Sequence, residues 1–587
     1  MSILIDTIRI AGFRGIKNIE MSFPRITVLI GANNSGKTSV LKAMQLALGD
    51  YSRYISEEDF YIGADGKRAT AIIVDVRIVS VDSSGIRTQN FNEEWISELG
   101  DKIQSEINNN QFVALRTCVK PDSIKGGFET SRTTLQKWPN FTMWKTEKIK
   151  ETKVNTRLLS IPVISIEAQR DIHQELREKS SFVGRVLSSV EYSPSDVSAL
   201  EELIQEVNET AVSHSDELKN LKIHLENLNQ SFQGAGNAEI TPFPKKIRDL
   251  SKHFSIQFGE NSSNAFSMEY HGMGTRSWAS MLTVKAFTDL MIAKHQKEAM
   301  PYFPIITAEE PEAHLHPNAQ KTLYHQLAEI QGQVIISTHS PYLVAMADIT
   351  QIRSLRNEAL GIVSNALLYQ LSDEEKKIIA REIASKRGEI IFSRVLILCE
   401  GITEEQLFPA MFEVYSGKSM NDLGISCISV SGKNYPPFVK LACSFGIPTF
   451  IISDNDGLTK REVEAQLRRL RKETGLRLGT DVFGVSYLNN NNDLEAELLQ
   501  TGFKEEIILA LALAETNGTK NIRYMEAKLK EIKNLLEQDI LIKMRDSKSS
   551  YSGFLADVLR DNPNKKDLNR LLPSAVVDAF NAAKGWS

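Results

Sequence analysis

Along this chain the spacing of apolar residues changes period several times, and each change marks an element. Residues 3–10 (Ile-Leu-Ile-Asp-Thr-Ile-Arg-Ile) read as a strand, and Ile26 to Ile30 as a second strand that runs into a glycine-rich loop. Ser39 to Leu48 then continue with helical character and no breaker. Residues 71–80 alternate like a half-buried strand, whereas 83–160 are mixed and carry Trp95, Trp138 and Trp144. From 196 to 231 the period is helical. Leu200, Leu203, Ile204 and Val207 have helical spacing, and Leu218, Leu221, Leu225 and Leu228 step 3-4-3, a heptad seam. That segment reads either as a hairpin packed on its own domain or as a dimer contact; at about five heptads it is too short for a long coiled-coil arm. Residues 301–345 hold a buried strand, a helix and a second strand, and the polar stretch 372–389 reads as a helical connector. From Val395 to about Leu488, β and α segments alternate as in a parallel sheet, and the residues beyond 500 are helical.

So many elements in 587 residues predict several domains, at roughly 150 residues each. The 42% hydrophobic and 24% charged residues exclude a wholly disordered chain. Apolar runs such as Val334-Ile335-Ile336 fall far short of the ~20 residues a membrane helix needs. Met1-Ser2-Ile3-Leu4-Ile5-Asp6 has no basic n-region and no cleavage site, so a cytoplasmic chain without membrane association is expected. Cys118, Cys399, Cys427 and Cys443 include no CxxC pair, which points to neither a zinc site nor a disulfide framework. With 69 basic against 74 acidic residues the formal charge is −5, so any contact with nucleic acid must use local basic patches or metal ions.

One motif is fully formed. Gly31-Ala32-Asn33-Asn34-Ser35-Gly36-Lys37-Thr38 fits G-x-x-x-x-G-K-[ST], between a strand and a helix as the motif requires. The glycines let backbone N–H groups approach the phosphates of ATP, and the helix N-terminus adds partial positive charge. Gly31, Asn33, Asn34, Ser35, Gly36 and Ser39 form the cradle, Lys37 reaches the β- and γ-phosphates, and Thr38 holds Mg²⁺. Downstream, Ile305 to Ala308 is an apolar strand ending in Glu309-Glu310-Pro311-Glu312. Glu309 belongs in the Mg²⁺ shell, and Glu310 orients or deprotonates the attacking water. A solvated acidic turn is the plainer alternative. It loses because Val334-Ile335-Ile336-Ser337-Thr338-His339-Ser340 follows, a strand ending in a polar switch whose His339 suits a γ-phosphate sensor. His314 and His316, at i and i+2, do not share a helix face and make a poor zinc pair.

A second set of carboxylates lies in the last third. Val395 to Cys399 is a buried strand ending at Glu400, with Glu404 one helical turn further on. Thr449 to Ser453 is another, ending in Asp454-Asn455-Asp456. Carboxylates at the C-terminal ends of parallel strands share one crevice, and four hard oxygen ligands suit Mg²⁺ or Mn²⁺. In Asn492-Asp493-Leu494-Glu495-Ala496-Glu497-Leu498, Glu495 is the better candidate for a second ion and Glu497 the next, against ordinary helical solvation. Two such ions stabilise both the attacking and the leaving oxygen of a phosphodiester. Lys548 is the candidate cation to face the phosphate, with Lys543 and Arg545 as rivals. Between Lys460 and Arg477 seven basic residues meet three acids; Arg461, Arg468 and Lys472 form either a solvated face or a track for a DNA backbone.

The phosphate loop, the Glu309-Glu310 strand end and the His339 switch resemble the ABC-type ATPase heads of the RecF and SMC group. On that resemblance Gln169 falls where a Q-loop lies. His271-Gly272-Met273-Gly274-Thr275-Arg276-Ser277 takes the place of the signature loop while departing from L-S-G-G-Q, and the His314–His316 stretch couples two nucleotide sites. The Glu400–Glu404 and Asp454–Asp456 pairing resembles a Toprim domain. An ABC-type head followed in one chain by a Toprim domain resembles the OLD (overcoming lysogenization defect) nucleases, on the runs Glu309 to Pro317 and Glu400 to Glu405. The resemblance implies an α/β chain: an ABC-type ATPase domain with a helical insert, then a Toprim Rossmann-like parallel-sheet domain with a helical C-terminal tail. Its expected parts are residues 1–171 and 261–388 for the ATPase domain, 172–260 for the insert and candidate dimerisation region, and 389–587 for the nuclease domain. It also implies ATP-regulated, metal-dependent cleavage and nicking of DNA in bacterial defence against phage. The protein would act as a homodimer or higher homo-oligomer, alone or beside an operon partner such as a helicase or a retron reverse transcriptase. A RecF- or SMC-like regulatory ATPase that binds DNA or a partner without cleaving is the alternative. A topoisomerase or primase is disfavoured, since no cleavage domain with a nucleophilic tyrosine and no zinc module is evident.

Overall fold

The computed structural model describes residues 3–122, 126–154, 158–167, 193–231, 257–258, 266–267, 272–358, 361–382, 388–475, 482–489, 491–519, 521–562 and 569–587. The chain forms two compact units, residues 1–28 with 36–343 and residues 29–35 with 344–587. Among the described residues no helix is long and apolar enough to cross a membrane.

The first unit is built on two sheets and a shared helix. β1 (Ile3–Phe13), β2 (Ile16–Ser22), β3 (Ile26–Ile30), α1 (Lys37–Leu48) and β4 (Ile72–Ser80) stand where the apolar pattern places them. The mixed stretch after them yields two long strands that composition does not reveal, β5 (Gln111–Pro121) and β6 (Phe128–Leu135). The antiparallel sheet runs β2-β1-β4-β5-β6. β4 is buried on both faces, not one. One face meets α1. On the other, Asp75 takes a two-pronged hydrogen bond from Arg116 (2.8 and 2.7 Å), whose guanidinium also donates to the Trp144 carbonyl oxygen at 2.9 Å. A parallel sheet follows from β7 (Val163–Ile166), β8 (Ile305–Glu309) and β9 (Gln333–Ser337). α1 touches both sheets, so Val40, Leu41, Met44 and Leu46 are buried around its circumference. Gln333 is buried between the sheets with its amide satisfied, accepting from the Ile5 N–H at 3.0 Å and donating to the Ile5 oxygen at 2.8 Å. α2 (Pro194–His214) and α3 (Asp216–Ser231) are the described helices between β7 and the next helix; Leu200, Leu203, Val207 and Leu221 are exposed. α4 (Met273–Lys297) and α5 (Pro317–Ala328) complete the unit.

The second unit opens with the antiparallel pair β10 (Ile352–Glu358) and β11 (Gly361–Asn365) and the polar helix α6 (Asp373–Glu382). Four parallel strands follow: β12 (Val395–Cys399), β13 (Ile425–Ser429), β14 (Thr449–Ser453) and β15 (Phe483–Tyr487), in the order β13-β12-β14-β15. Because β12 lies between β13 and β14, the connection leaving β12 and the one leaving β14 run in opposite directions, and a crevice opens beyond the carboxyl ends of these two strands. α7 (Ile402–Ser416), α8 (Tyr435–Ser444) and α9 (Thr459–Thr474) connect the strands, and α10 (Leu494–Thr501), α11 (Lys504–Glu515), α12 (Lys548–Asp561) and α13 (Ser574–Trp586) follow them. α13 is more than a tail. It packs on β12, β14 and β15, its Val576, Ala579, Phe580 and Ala583 are fully buried, and Phe580 meets Phe412 edge-on at 5.2 Å.

Candidate functional site

The phosphate loop has the backbone its sequence requires. Gly31 adopts φ 148°, Asn34 61° and Gly36 95°. At Gly31 a Cβ would lie 2.3 Å from the Leu355 oxygen, so only glycine fits. Gly36 caps α1 without a side chain, leaving the helix start to a ligand. Ser35, Lys37 and Ser39 are buried, while Asn33 and Asn34 are exposed. Parallel register sets Glu309 opposite Ser337, so the residues after both strands emerge together. Thr38 Oγ1 donates to Glu309 Oε1. His339 Nε2 lies 3.6 Å from Glu310 Oε1. Burial pushes the Lys37 ammonium down in pKa, and Glu310, Glu312 and Glu309 oppose that shift. Burial and then Lys37 push His339 down, which favours a neutral ring.

Sequence reasoning passed over Glu312. One of its oxygens accepts from Thr338 Oγ1 (2.5 Å), the His339 N–H (3.0 Å) and the Ser340 N–H (3.2 Å), and so fixes the loop that carries His339. The signal was its place in Glu309-Glu310-Pro311-Glu312. His316 is an N-cap, accepting from the Asn318 N–H at 3.3 Å, and no zinc ligand pair is needed to explain it. The start of α4 abuts the same loop: a Cβ on Gly274 would lie 2.4 Å from the His314 oxygen. Gln169 and His271 lie outside the described residues.

In the second unit the crevice beyond β12 gathers the predicted acids. Glu400 Oε1 accepts from Ser453 Oγ at 2.7 Å and from the Asp454 N–H at 3.3 Å, which joins the ends of β12 and β14. Glu404, in the first turn of α7, accepts from the Gly401 N–H at 3.1 Å. Glu495, at the start of α10, accepts from Thr403 Oγ1 at 3.1 Å and pairs with Lys548 at 3.2 Å. Asp456 is exposed at the mouth and accepts from Thr459 Oγ1 at 2.6 Å. Burial, then Glu404, Glu400, Glu495 and Asp493, push Asp454 up to about 9. Burial, with Glu495 and Glu400 adding to it, pushes Glu404 up to about 7. These shifts express like charges crowded in low dielectric, where added positive charge is favourable. Among the described residues no three such side chains are already drawn into a metal cage. The donor set nonetheless fits Mg²⁺ or Mn²⁺: hard carboxylate oxygens whose mutual repulsion an ion would relieve.

The rivals of Lys548 pair with other acids, though Arg545 keeps Glu495 and Asp456 within its electrostatic reach. Arg545 donates to Asp493 at 2.8 Å, and Lys543 pairs with Glu515. Glu497 is turned to amides, accepting from Asn489 at 3.0 Å and Asn492 at 2.7 Å. Asp493, not singled out in the sequence, caps α10 through the Ala496 N–H at 3.0 Å. On α9, Lys460, Arg461, Arg468, Arg469 and Lys472 are exposed; Arg477 lies outside the described residues.

Fold and family models together define an ATPase domain joined in one chain to a Toprim domain. A family model described as an AAA ATPase domain matches residues 4–344, and one described as the TOPRIM domain of overcoming lysogenization defect-like proteins matches residues 391–456. By the first of these matches, which takes in more than half of its length, the chain belongs to the AAA ATPase domain family, and the second adds a Toprim domain similar to that of overcoming lysogenization defect-like proteins. It is 21% identical to the Old nuclease of Escherichia phage P2 over 488 residues, 78% of this chain and 78% of that protein. It is 23% identical to the OLD nuclease of Thermus scotoductus over 494 residues, 77% of this chain and 82% of that protein. The solved C-terminal region of the Burkholderia pseudomallei OLD protein is 24% identical, with 33% of this chain and 98% of that one covered at a TM-score of 0.25.

Proposed function

We propose that this chain is an ATP-regulated, divalent-metal-dependent DNA endonuclease and nickase acting in defence against phage. The observation that carries this is the carboxylate crevice at the switch point of the second unit, with Lys548 on one flank. The nuclease names of the relatives support the class, and Endonuclease GajA of Bacillus cereus, 21% identical over 297 residues, supports cleavage within a strand.

Glu400, Asp454 and Asp456 are the residues to hold one ion, and Glu404 and Glu495 a second. Bound there, two divalent ions would activate water and stabilise the attacking and leaving oxygens. Lys548 keeps its ammonium beside Glu495, where it neutralises charge on a docked phosphate. Ser453 holds Glu400 in line with Asp454. At the phosphate loop, Lys37 and the loop N–H groups would bind the phosphates of ATP, Thr38 and Glu309 would hold Mg²⁺, and Glu310 and His339 would act on the γ-phosphate. Nucleotide occupancy sets the geometry of a homodimer or higher homo-oligomer and so gates cleavage, alone or with an operon partner such as a helicase or retron reverse transcriptase.

Cleavage of supercoiled plasmid with Mg²⁺ or Mn²⁺ tests this. Glu400→Ala is expected to lower the rate by at least about 100-fold, the size of effect seen when a transition-state stabiliser is removed. Lys37→Ala is expected to abolish ATP binding and make cleavage indifferent to ATP. Equal cleavage by wild type and Glu400→Ala would favour a regulatory ATPase without nuclease activity.

A further inference from the structure

The acid crevice must accept a polyanion, yet its own charge is negative. Lys548 serves one flank, beside Glu495. Glu400 and Asp456 lie within the electrostatic reach of a residue that no motif singled out. Lys433 sits in the loop between β13 and α8, and that loop is tied to the site. The Gly432 N–H donates to the Glu400 backbone oxygen at 2.8 Å, and Ser429 Oγ donates to the same oxygen at 3.1 Å. Ser431 (φ 55°) and Gly432 (φ 103°) turn the chain through left-handed conformations just before Lys433. This sharp turn, anchored on Glu400, aims the lysine along the rim. The Lys433 Nζ lies 2.8 Å from Glu462 Oε2, on the first turn of α9, in a pair whose side chains are 34% and 51% exposed. Glu400 and Asp456 lie within its electrostatic reach, and its charge opposes the upward shift that burial imposes on Glu400.

An ammonium has three donors, and the exposed pair with Glu462 is a weak interaction. A phosphate arriving at the rim offers a charge-assisted hydrogen bond to the same group. Arg461, Arg468 and Lys472 of α9 are exposed as well. We propose that Lys433 grips a backbone phosphate of the DNA strand seated in the crevice, and that Glu462 holds this lysine aside until the strand arrives. Lys433 is thus a substrate-binding residue on the Glu400 side, the counterpart of Lys548 on the Glu495 side. The inference rests on the nuclease reading above.

The test measures binding of a fluorescein-labelled DNA duplex by anisotropy across a salt series, with Ca²⁺ replacing Mg²⁺, beside plasmid cleavage in Mg²⁺. Lys433→Ala is expected to weaken binding and flatten the plot of log affinity against log salt by about one unit, the loss of one phosphate contact. Lys433→Arg should recover most of the slope. Glu462→Gln, which frees the lysine, should tighten binding. Manganese binding by each variant reports that the acid crevice is intact. The inference is overturned if Lys433→Ala keeps the wild-type salt slope, or if Glu462→Gln weakens binding as much as Lys433→Ala does, since a lysine that merely pins its loop predicts equal loss. If the wild type itself neither binds nor cuts DNA, the nuclease reading falls first and this inference with it.

Discussion

The two acid-rich sites of this chain gather negative charge in opposite ways. At the phosphate loop each carboxylate has a companion: Thr38 on Glu309, His339 near Glu310, and a hydroxyl with two N–H groups on Glu312, with Lys37 among all three. Beyond β12 Glu400, Glu404, Glu495 and Asp456 also accept hydrogen bonds, but burial and then repulsion among the carboxylates outweigh them, so Asp454 and Glu404 hold protons far above the ordinary carboxylate range. The first site is built around its own cation and waits for an anion. The second is short of positive charge and waits for ions. That contrast is what a nucleotide cradle and a metal crevice require, and it can be attacked from the second site's side.

The largest expected effect concerns its own cation. Lys548→Ala should reduce plasmid cleavage by roughly 100-fold, as loss of one preorganised stabiliser does. Lys543→Ala should stay within a few-fold of wild type, because that ammonium is turned to Glu515. If initial rates fell equally for both variants, Lys548 would have no special place and the crevice would lack a cation of its own.

An intermediate effect follows from the raised carboxylates. In the metal-free protein Asp454 and Glu404 keep protons that the unfolded chain releases near the ordinary carboxylate values. The folded state therefore binds more protons between those values and about 7 to 9. Their contribution to stability is complete below the unfolded values and is lost as pH rises through about 7 and then about 9. Metal binding needs the deprotonated groups and offsets the loss. In calorimetry with chelator the Tm should fall across that window, and the gap to the Mg²⁺-saturated protein should widen by several degrees. Asp454→Asn should remove the upper part of the fall. A chelated protein whose Tm is flat over the window would refute the charge crowding on which the comparison rests.

What could be read in advance was whatever a short, contiguous pattern dictates. Gly31 to Thr38 is legible because one loop must turn, approach phosphate and start a helix. Glu400 and Asp454 are legible because five buried residues in a row can only be a strand, and a carboxylate after such a strand has few structural uses. Residues whose meaning depends on a distant partner were not legible. Glu312 matters through Thr338, Asp493 through Arg545, and Lys433 through Glu462. β5 was hidden because its inward positions include Arg116 and Thr117, polar residues whose burial is licensed by Asp75 and by the Ala47 oxygen of α1. α13 looked like a tail because its apolar face has meaning only against β12, β14 and β15.

The smallest expected effect separates two neighbours that the sequence ranked first and second for one role. Glu495 and Glu497 are both almost fully buried, at 1% and 2% exposure, so burial alone does not tell ligand from scaffold. Their partners do. Glu495 meets Lys548 and Thr403 at the crevice, whereas both oxygens of Glu497 are taken by the side-chain amides of Asn489 and Asn492. Glu497→Gln keeps the shape but puts an N–H where one of those amides donates, which costs about 1–3 kcal/mol for a buried group left unpaired. Thermal unfolding should register that loss. The affinity for Mn²⁺ and the cleavage rate of the protein that remains folded should change by no more than a few-fold. Glu495→Gln should do the reverse, with little loss of Tm and a clear loss of metal affinity. Metal titrations that gave both variants the same deficit would mean that Glu497 leaves its amides to join the ions, and that the scaffold around the crevice is less settled than its hydrogen bonds indicate.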